Sequence, residues 1–132
     1  MTRAQRDLVM AERLITEVTG KDREVQKIYG RLCHSFPVLV RTCGLCQALA
    51  FSEDKATPSN GEETPRNKAH RLLLRHVAEI LGVKSALKAV RSAEAAEYML
   101  QTRIVLGAWI YFKRFAVSIL NVDSAQDESG GN

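Results

Sequence analysis

Residues 92–121 read SAEAAEYMLQTRIVLGAWIYFKRFAVSILN, and apolar side chains recur every three or four positions through this stretch. That spacing is typical of one face of an α-helix, and nearly thirty residues of it predict an element roughly 40 Å long. Ser92 can cap the start of this helix. The predicted core positions are Tyr98, Val105, Trp109, Phe112, Ala116 and Ile119. The fold is therefore predicted to be organised around one long C-terminal helix.

The segments before residue 92 show the same helical period, and none alternates with the period of two that is typical of strands. Thr2 and Gln5 form a capping box that opens a first helix over residues 3–19. Asp22 can cap a second helix. The fold class is therefore predicted to be all-α.

A break is expected at Pro37, because the residue before a proline is pushed out of helical backbone geometry. The second helix should end there, and a third should begin at about residue 36 and run to about residue 54. Gly44 falls inside this third helix, where it costs about 1 kcal/mol relative to alanine. A close helix crossing would explain its presence.

A polar stretch at residues 56–64 contains proline, asparagine and glycine and is expected to be a surface loop. Thr64 and Pro65 then provide an N-cap and a first helical residue for a fourth helix, which should end at Gly82. Residues 83–91 predict a short fifth helix. The whole pattern predicts a compact bundle of five to six helices with a long C-terminal helix.

The chain has 132 residues, a length typical of one domain. We expect a single helical domain over residues 1–121 and a flexible acidic tail over residues 122–132. Lys and Arg number 19 against 15 Asp and Glu, which gives a formal net charge of +4. Three of the acids, Asp123, Asp127 and Glu128, lie in the tail, so the domain carries 19 cations against 12 acids and a charge of +7. A moderate basic excess is weak evidence for a polyanionic partner.

Targeting and membrane signals are absent from the expected positions. No apolar stretch follows the charged N-terminus as it would in a signal peptide. The most apolar run, residues 104–112, is too short to span a bilayer. Three cysteines, an odd number, suggest reduced thiols. We therefore expect a soluble cytoplasmic protein with no membrane partner.

Cys43 and Cys46 form a C-x-x-C pair, the spacing used by zinc sites and by redox dithiols. A zinc site needs two more ligands, and the only nearby candidates are Cys33 and His34. Because these two residues are adjacent in the sequence, their side chains are poorly placed to bind the same ion. A redox dithiol would require the first cysteine at a helix N-terminus after a strand, whereas this motif is expected within a helix. Buried cysteines that act as small apolar residues are the simpler interpretation.

Catalytic motifs are also missing. The sequence contains no nucleophile elbow, Gly-rich phosphate loop, H-E-x-x-H or paired-carboxylate motif. A lone histidine without a carboxylate or cysteine partner is rarely catalytic, so His70 and His76 are expected to be structural. No catalytic residue, cofactor or metal site is therefore predicted.

Cations recur at helical spacing on three predicted helices. One stripe on the fourth helix consists of Lys68, Arg71 and Arg75. The last helix carries Arg103 and Arg114 eleven residues apart, about three turns, with Lys113 alongside. The second helix carries Arg23, Lys27 and Arg31. Such stripes can follow a phosphate backbone, although surface helices also carry cations merely for solubility.

Residues 77–87, VAEILGVKSAL, resemble the joint of a helix-turn-helix with Gly82 at the turn. This pattern favours an alternative function, that of a DNA-binding regulator. Against it, Lys88 and Arg91 occupy positions where the second helix should pack inward. A third alternative is a small scaffold protein whose charges only maintain solubility.

The run GLCQALAF at residues 44–51 resembles the small subunit of the Cmr-type (type III-B) CRISPR RNA-guided effector complex. The resemblance covers most of residues 2–120. Its further segments are Tyr29-Gly30, Phe36-Pro37, Lys55, Tyr98-Met99, Thr102-Arg103 and residues 109–116.

This resemblance implies a small helical protein without catalytic residues. Several copies would stack as a filament beside the backbone subunits, and the basic surface would face guide RNA and target RNA. The expected partners are therefore the backbone subunit, further copies of the chain, guide RNA and target RNA. The cations within the resembling segments are Lys55, Arg103, Lys113 and Arg114. With the stripe on the fourth helix, the candidate RNA-binding set is Lys55, Lys68, Arg71, Arg75, Arg103, Lys113 and Arg114.

The last helix also carries Ile110 and Tyr111 beside Trp109 and Phe112, which is more apolar surface than one core face needs. Two interpretations are open at this point. The helix is either enclosed by the others in the centre of the bundle, or part of it is a surface for packing between subunits.

Overall fold

The computed structural model describes residues 1–124 and places six α-helices in them. The helices are α1 (Arg3–Val18), α2 (Arg23–Cys43), α3 (Leu45–Ala56), α4 (Pro65–Leu81), α5 (Ala86–Arg91) and α6 (Ala95–Ser118). The described residues contain no strand. The predicted all-α bundle of five to six helices with a long C-terminal helix is therefore confirmed. α6 packs against α1, α2 and α4, and α4 also packs against α2, α3 and α5.

α1 and α4 begin where the caps predict. The Thr2 hydroxyl accepts the Gln5 N–H at 3.1 Å, and the Gln5 side-chain carbonyl accepts the Thr2 N–H at 2.7 Å. Thr64 and Asn67 form the same reciprocal pair at the start of α4, where Pro65 is the first helical residue. These bonds satisfy N–H groups that have no partner within the first helical turn.

The predicted break at Pro37 is wrong, because α2 continues through Pro37 to Cys43. A proline inside a helix has no N–H to donate to the carbonyl four residues earlier, which here belongs to Cys33. The indole Nε1–H of Trp109 donates to that carbonyl at 2.9 Å and replaces the missing bond. The helix is interrupted instead at Gly44, where the backbone φ of 90° favours glycine. Gly44 therefore separates α2 from α3 and does not lie inside a helix.

The corner at Gly44 is held by α6. The backbone N–H of Cys46 donates to the Tyr98 hydroxyl at 3.1 Å. A Cβ atom at Gly44 would lie 2.9 Å from the same hydroxyl oxygen. Glycine is thus required here both by its backbone angle and by the close approach of Tyr98.

Three aromatic rings from α2 and α6 form the centre of the core. Trp109 stacks on Phe112 with ring centroids 4.4 Å apart and planes within 6° of parallel. Phe36 contacts Trp109 with centroids 4.8 Å apart. Burial of large aromatic side chains supplies much of the favourable free energy of folding in a domain of this size.

The predicted core face of α6 is confirmed over the middle of the helix. Four predicted positions are fully buried: Val105, Trp109, Phe112 and Ala116. Tyr98 and Ile119 are half-buried. The opposite side of α6 is exposed to solvent, since Ile110 on that side is 59% exposed. α6 is therefore not enclosed on all sides by the other helices.

The segment after α6 turns back onto α2. The Val122 N–H donates to the Ala116 carbonyl at 3.0 Å, and the Val122 carbonyl accepts from His34 Nε2 at 2.8 Å. The Val122 side chain is fully buried against Gly30. A larger residue at position 30 would occupy the space that Val122 fills. Val122, one residue past the expected boundary at residue 121, therefore packs with the helices. Residues 125–132 of the predicted tail lie outside the described residues.

His70 and His76 both lie in the core and are held by hydroxyl groups. His76 Nδ1 bonds to the Tyr29 hydroxyl, and His70 Nδ1 lies 3.1 Å from Ser52 Oγ. Burial lowers the pKa of His76 to about 3 and that of His70 to about 4, with nearby arginines adding to both effects. Both imidazoles are therefore neutral at physiological pH.

The contact between Gly30 and Val122 can be tested by a pair of glycine substitutions. Gly30→Ala should lower the free energy of unfolding by about 1–3 kcal/mol, because its Cβ would lie 2.5 Å from the Val122 Cβ. Gly107→Ala is the matched control: it lies within α6 with nothing within 4 Å of an added Cβ. This control should raise the free energy of unfolding by up to about 1 kcal/mol. Urea unfolding followed by circular dichroism measures both, and a Gly30→Ala variant as stable as the wild type would contradict the contact.

The buried histidines predict a loss of stability in mild acid. Their pKa values are lower in the folded chain than the ordinary value of 6.5, so only the unfolded chain takes up protons as the pH falls below 6.5. The contribution of the two neutral histidines to the free energy of unfolding is fully present above pH 6.5. It is lost progressively as the pH falls towards 4. Two such groups predict a slope of up to about 2.7 kcal/mol per pH unit in the free energy of unfolding.

Urea midpoints measured between pH 7 and 4.5 check this slope. His76→Asn keeps an acceptor for the Tyr29 hydroxyl but does not titrate, and it should remove about half of the slope between pH 6 and 5. The same slope in the variant and the wild type would show that His76 is not responsible.

Candidate nucleic-acid interface

The predicted stripe of Lys68, Arg71 and Arg75 forms one wall of a hollow between α4 and the turn that joins α1 to α2. We name this hollow the α4 groove, and its volume is about 330 Å³. Its charged lining residues are Lys21, Asp22, Glu63, Lys68, Arg71 and Arg75. Lys21 comes from the turn, so helical spacing within α4 could not reveal it. The groove therefore combines four cations with two carboxylates.

The three cations on α4 are not equivalent. The Arg71 guanidinium pairs with Glu63 and donates to the Ala56 carbonyl at 3.1 Å, so it ties the loop after α3 to α4. Lys68 and Arg75 form no ion pair with any of the described residues 1–124. These two side chains are therefore available to an external anion, whereas Arg71 is partly neutralised.

Lys113 and Arg114 lie together in a second hollow, between α2 and α6, with a volume of about 450 Å³. Arg41 at the end of α2 joins them there, and Asp123 is the one carboxylate among the described lining residues. We name this the α2–α6 hollow. Arg41 was not predicted, because it belongs to a different helix from the lysine and arginine it accompanies.

The remaining predicted residues lie apart from both hollows. Lys55 is at the end of α3, with its Nζ 5.3 Å from the centroid of the Phe51 ring. Arg103 is exposed on α6, three turns before Arg114, and lines neither hollow. The structure thus divides the seven predicted residues into a group of three, a pair and two single residues.

The predicted stripe on α2 has a largely structural role at its start. Arg23 donates to the Leu120 carbonyl at 2.7 Å and to the Gln26 side chain at 3.1 Å. Lys27 is exposed, whereas Arg31 is half-buried in a hollow beside Arg66 of α4. The three cations therefore do not act as one surface.

The C-x-x-C pair spans the junction of two helices. Cys43 is exposed at the end of α2, and Cys46 is half-buried in the first turn of α3. Within residues 1–124, no group of three or more His, Cys, Asp or Glu side chains is arranged to hold a metal ion. None of the helices in this part of the chain combines the length and apolar character that crossing a bilayer requires.

The predicted helix-turn-helix joint does form a turn, with Gly82 in the left-handed conformation between α4 and α5. α5 has only six residues, about 9 Å of helix, and buries Ala86 and Val90 against the core. Lys88 and Arg91 are exposed. A helix this short offers little length to lie in a major groove, so the geometry does not favour a DNA-binding regulator.

Comparison with known proteins gives one consistent result. The model of the Cas_Cmr5 family, described as CRISPR-associated protein, matches residues 3–119. A curated protein from Thermus thermophilus, the CRISPR system Cmr subunit Cmr5, is 39% identical over 108 aligned positions, and the match covers 76% of this chain and 86% of that protein. The crystal structure of a CRISPR-associated Cmr5 family protein from the same species is similar with a TM-score of 0.72. It is 34% identical, and the match covers 90% of this chain and 97% of that one.

Proposed function

Because the chain belongs to the Cas_Cmr5 family of CRISPR-associated proteins, we propose that it is the non-catalytic small subunit of a CRISPR Cmr (type III-B) ribonucleoprotein. In this role it contacts guide RNA and target RNA through their phosphates during antiviral defence. The main support for RNA contact is the α4 groove, where four cations from two separate elements line one hollow.

The α4 groove suits a phosphate backbone and not a particular base sequence. Lys68 and Arg75 are seven residues apart, which separates them by about 10 Å along α4. Cations spread over this distance can neutralise successive phosphates of one strand, and such contacts carry no sequence information. The α2–α6 hollow, with Arg41, Lys113 and Arg114, offers a second contact of the same kind.

The outer side of α6 supports packing against neighbouring subunits. Its exposed apolar side chains are Met99, Leu100, Ile110 and Val117. Met99, Ile110 and Val117 are spaced by eleven and seven residues, about three and two helical turns, so they share one side of α6. A contiguous exposed apolar patch is typical of a protein–protein contact. In the proposed complex this side of α6 packs on the backbone subunit or on another copy of the chain. A contact between different surfaces of successive copies would extend as a filament.

The salt dependence of RNA binding tests the α4 groove. Replacing Lys68 and Arg75 together with alanine should reduce the slope of log K against log salt concentration by about 1.4 to 1.8, because two phosphate contacts are lost. Glu63→Gln should steepen that slope by up to about 0.9, because it releases Arg71 from its ion pair. Fluorescence anisotropy with a labelled RNA measures both slopes.

The matched control removes the same number of charges at the other end of α1. Arg3 and Arg6 lie about 22 Å and about 18 Å along α1 from the end of the helix at Val18, where the turn that carries Lys21 begins, so Arg3→Ala with Arg6→Ala should retain the wild-type slope. Equal slopes in all variants would refute the α4 groove as an RNA contact. Tight and sequence-selective binding to duplex DNA would refute the proposed function and favour a regulator.

Recovery of the assembled complex tests whether the α2–α6 hollow contacts RNA. Lys113→Glu with Arg114→Glu should leave the helical circular dichroism spectrum unchanged, because both side chains are exposed. The same variant should recover less RNA-bound complex when the native chain is purified from its source. Full recovery of guide RNA and large subunits would remove these two residues from the interface.

A further inference from the structure

One exposed aromatic side chain is unused by the function proposed above. The Phe51 ring on α3 is 45% exposed and lies between two hollows that share it and Ser35. The first hollow, of about 480 Å³, lies between α2, α3 and α4. The second, of about 640 Å³, extends along α2 towards α6. We name this continuous surface the Phe51 groove.

The floor of the Phe51 groove is apolar. Along α2 it is formed by Ile28, Leu32, Val38 and Leu39. The Phe51 ring is fixed by an edge contact with His70, with centroids 6.0 Å apart and planes at 72°. An aromatic ring that is supported from the protein side and open to solvent can accept a second flat ring.

The rim of the Phe51 groove is basic. Arg31 and Arg66 line the first hollow and Lys113 lines the second, while Lys55 lies against the Phe51 ring. Glu24 is the one carboxylate among the described lining residues of the two hollows. Three lining cations against one lining carboxylate, with Lys55 beside the ring, favour a polyanionic occupant over an apolar protein segment.

We propose that Phe51 is a stacking platform for an unpaired nucleobase of single-stranded RNA, with Arg31, Arg66 and Lys113 holding the flanking phosphates. This inference rests on the proposed function only in taking RNA as the ligand. A base inside a duplex has both faces covered by its neighbours, so it cannot stack on Phe51. The Phe51 groove therefore selects unpaired nucleotides, whereas the α4 groove accepts the backbone of a paired or an unpaired strand.

Two oligomers of equal charge separate stacking from phosphate contact. One is a single-stranded 12-nucleotide RNA, and the other is an abasic chain with the same number of phosphates. The wild-type protein should bind the RNA roughly 5- to 150-fold more tightly than the abasic chain, which is the range expected for stacking of one base on an aromatic side chain.

Variants at position 51 assign that difference to the ring. Phe51→Leu keeps an apolar side chain but removes the aromatic face, and it should bind both oligomers equally. Phe51→Trp should retain the preference for RNA, and its exposed indole should lose fluorescence when a base stacks on it. Val9→Ala is the matched control: Val9 is an apolar residue on α1 that is 52% exposed and lines neither hollow, so this variant should behave as the wild type.

The possible outcomes distinguish this inference from the proposed function. Equal affinity of the wild type for both oligomers, or an unchanged preference in Phe51→Leu, would overturn stacking at Phe51 and leave the α4 groove to be judged by salt dependence. A salt slope left unchanged by replacing Lys68 and Arg75 would refute the α4 groove, while a base preference lost in Phe51→Leu would still support stacking at Phe51. A Phe51→Leu variant that alters self-association in sedimentation, and not RNA affinity, would show that the groove is an interface between copies.

Discussion

The hydrogen bond from the indole of Trp109 to the carbonyl of Cys33 is the contact on which the arrangement of α2 and α6 depends. Pro37 removes the partner that this carbonyl would have within the helix, and a buried carbonyl without a partner is costly. Trp109 supplies the bond from another helix and also stacks on Phe112 in the core. The Trp109 side chain thereby replaces the missing hydrogen bond of α2, connects α2 to α6 and packs in the centre of the bundle.

The continuity of α2 determines which surfaces exist. Because the helix runs on to Cys43, its outward residues from Ile28 to Val38 form one line along the Phe51 groove. Arg41 follows in the same helix and reaches the hollow that contains Lys113 and Arg114. A helix that ended at Pro37 would separate these positions and would not give a continuous groove.

The cations of this protein serve two different purposes. Arg23 and Arg71 donate from their guanidinium groups to backbone carbonyls, so they stabilise the segment just after α6 and the loop after α3. Lys68 and Arg75 make no such bond among the described residues and face a groove. Charge spacing on a helix therefore identifies an exposed face, but it does not distinguish a cation that holds the fold from one that is free to bind a ligand.

The elements that depend on local interactions could be predicted from the sequence. The caps at Thr2 and Thr64, the all-α class and the core face of α6 follow from hydrogen bonds and helical period within a few residues of one another. The remaining features depend on contacts between residues far apart in the chain. Whether Pro37 ends a helix depends on Trp109, seventy-two residues away, and whether Val122 packs onto α2 depends on the space left by Gly30. Lys21 and Arg41 join the predicted cations only because two elements meet, and a periodic pattern in one element contains no information about its neighbours.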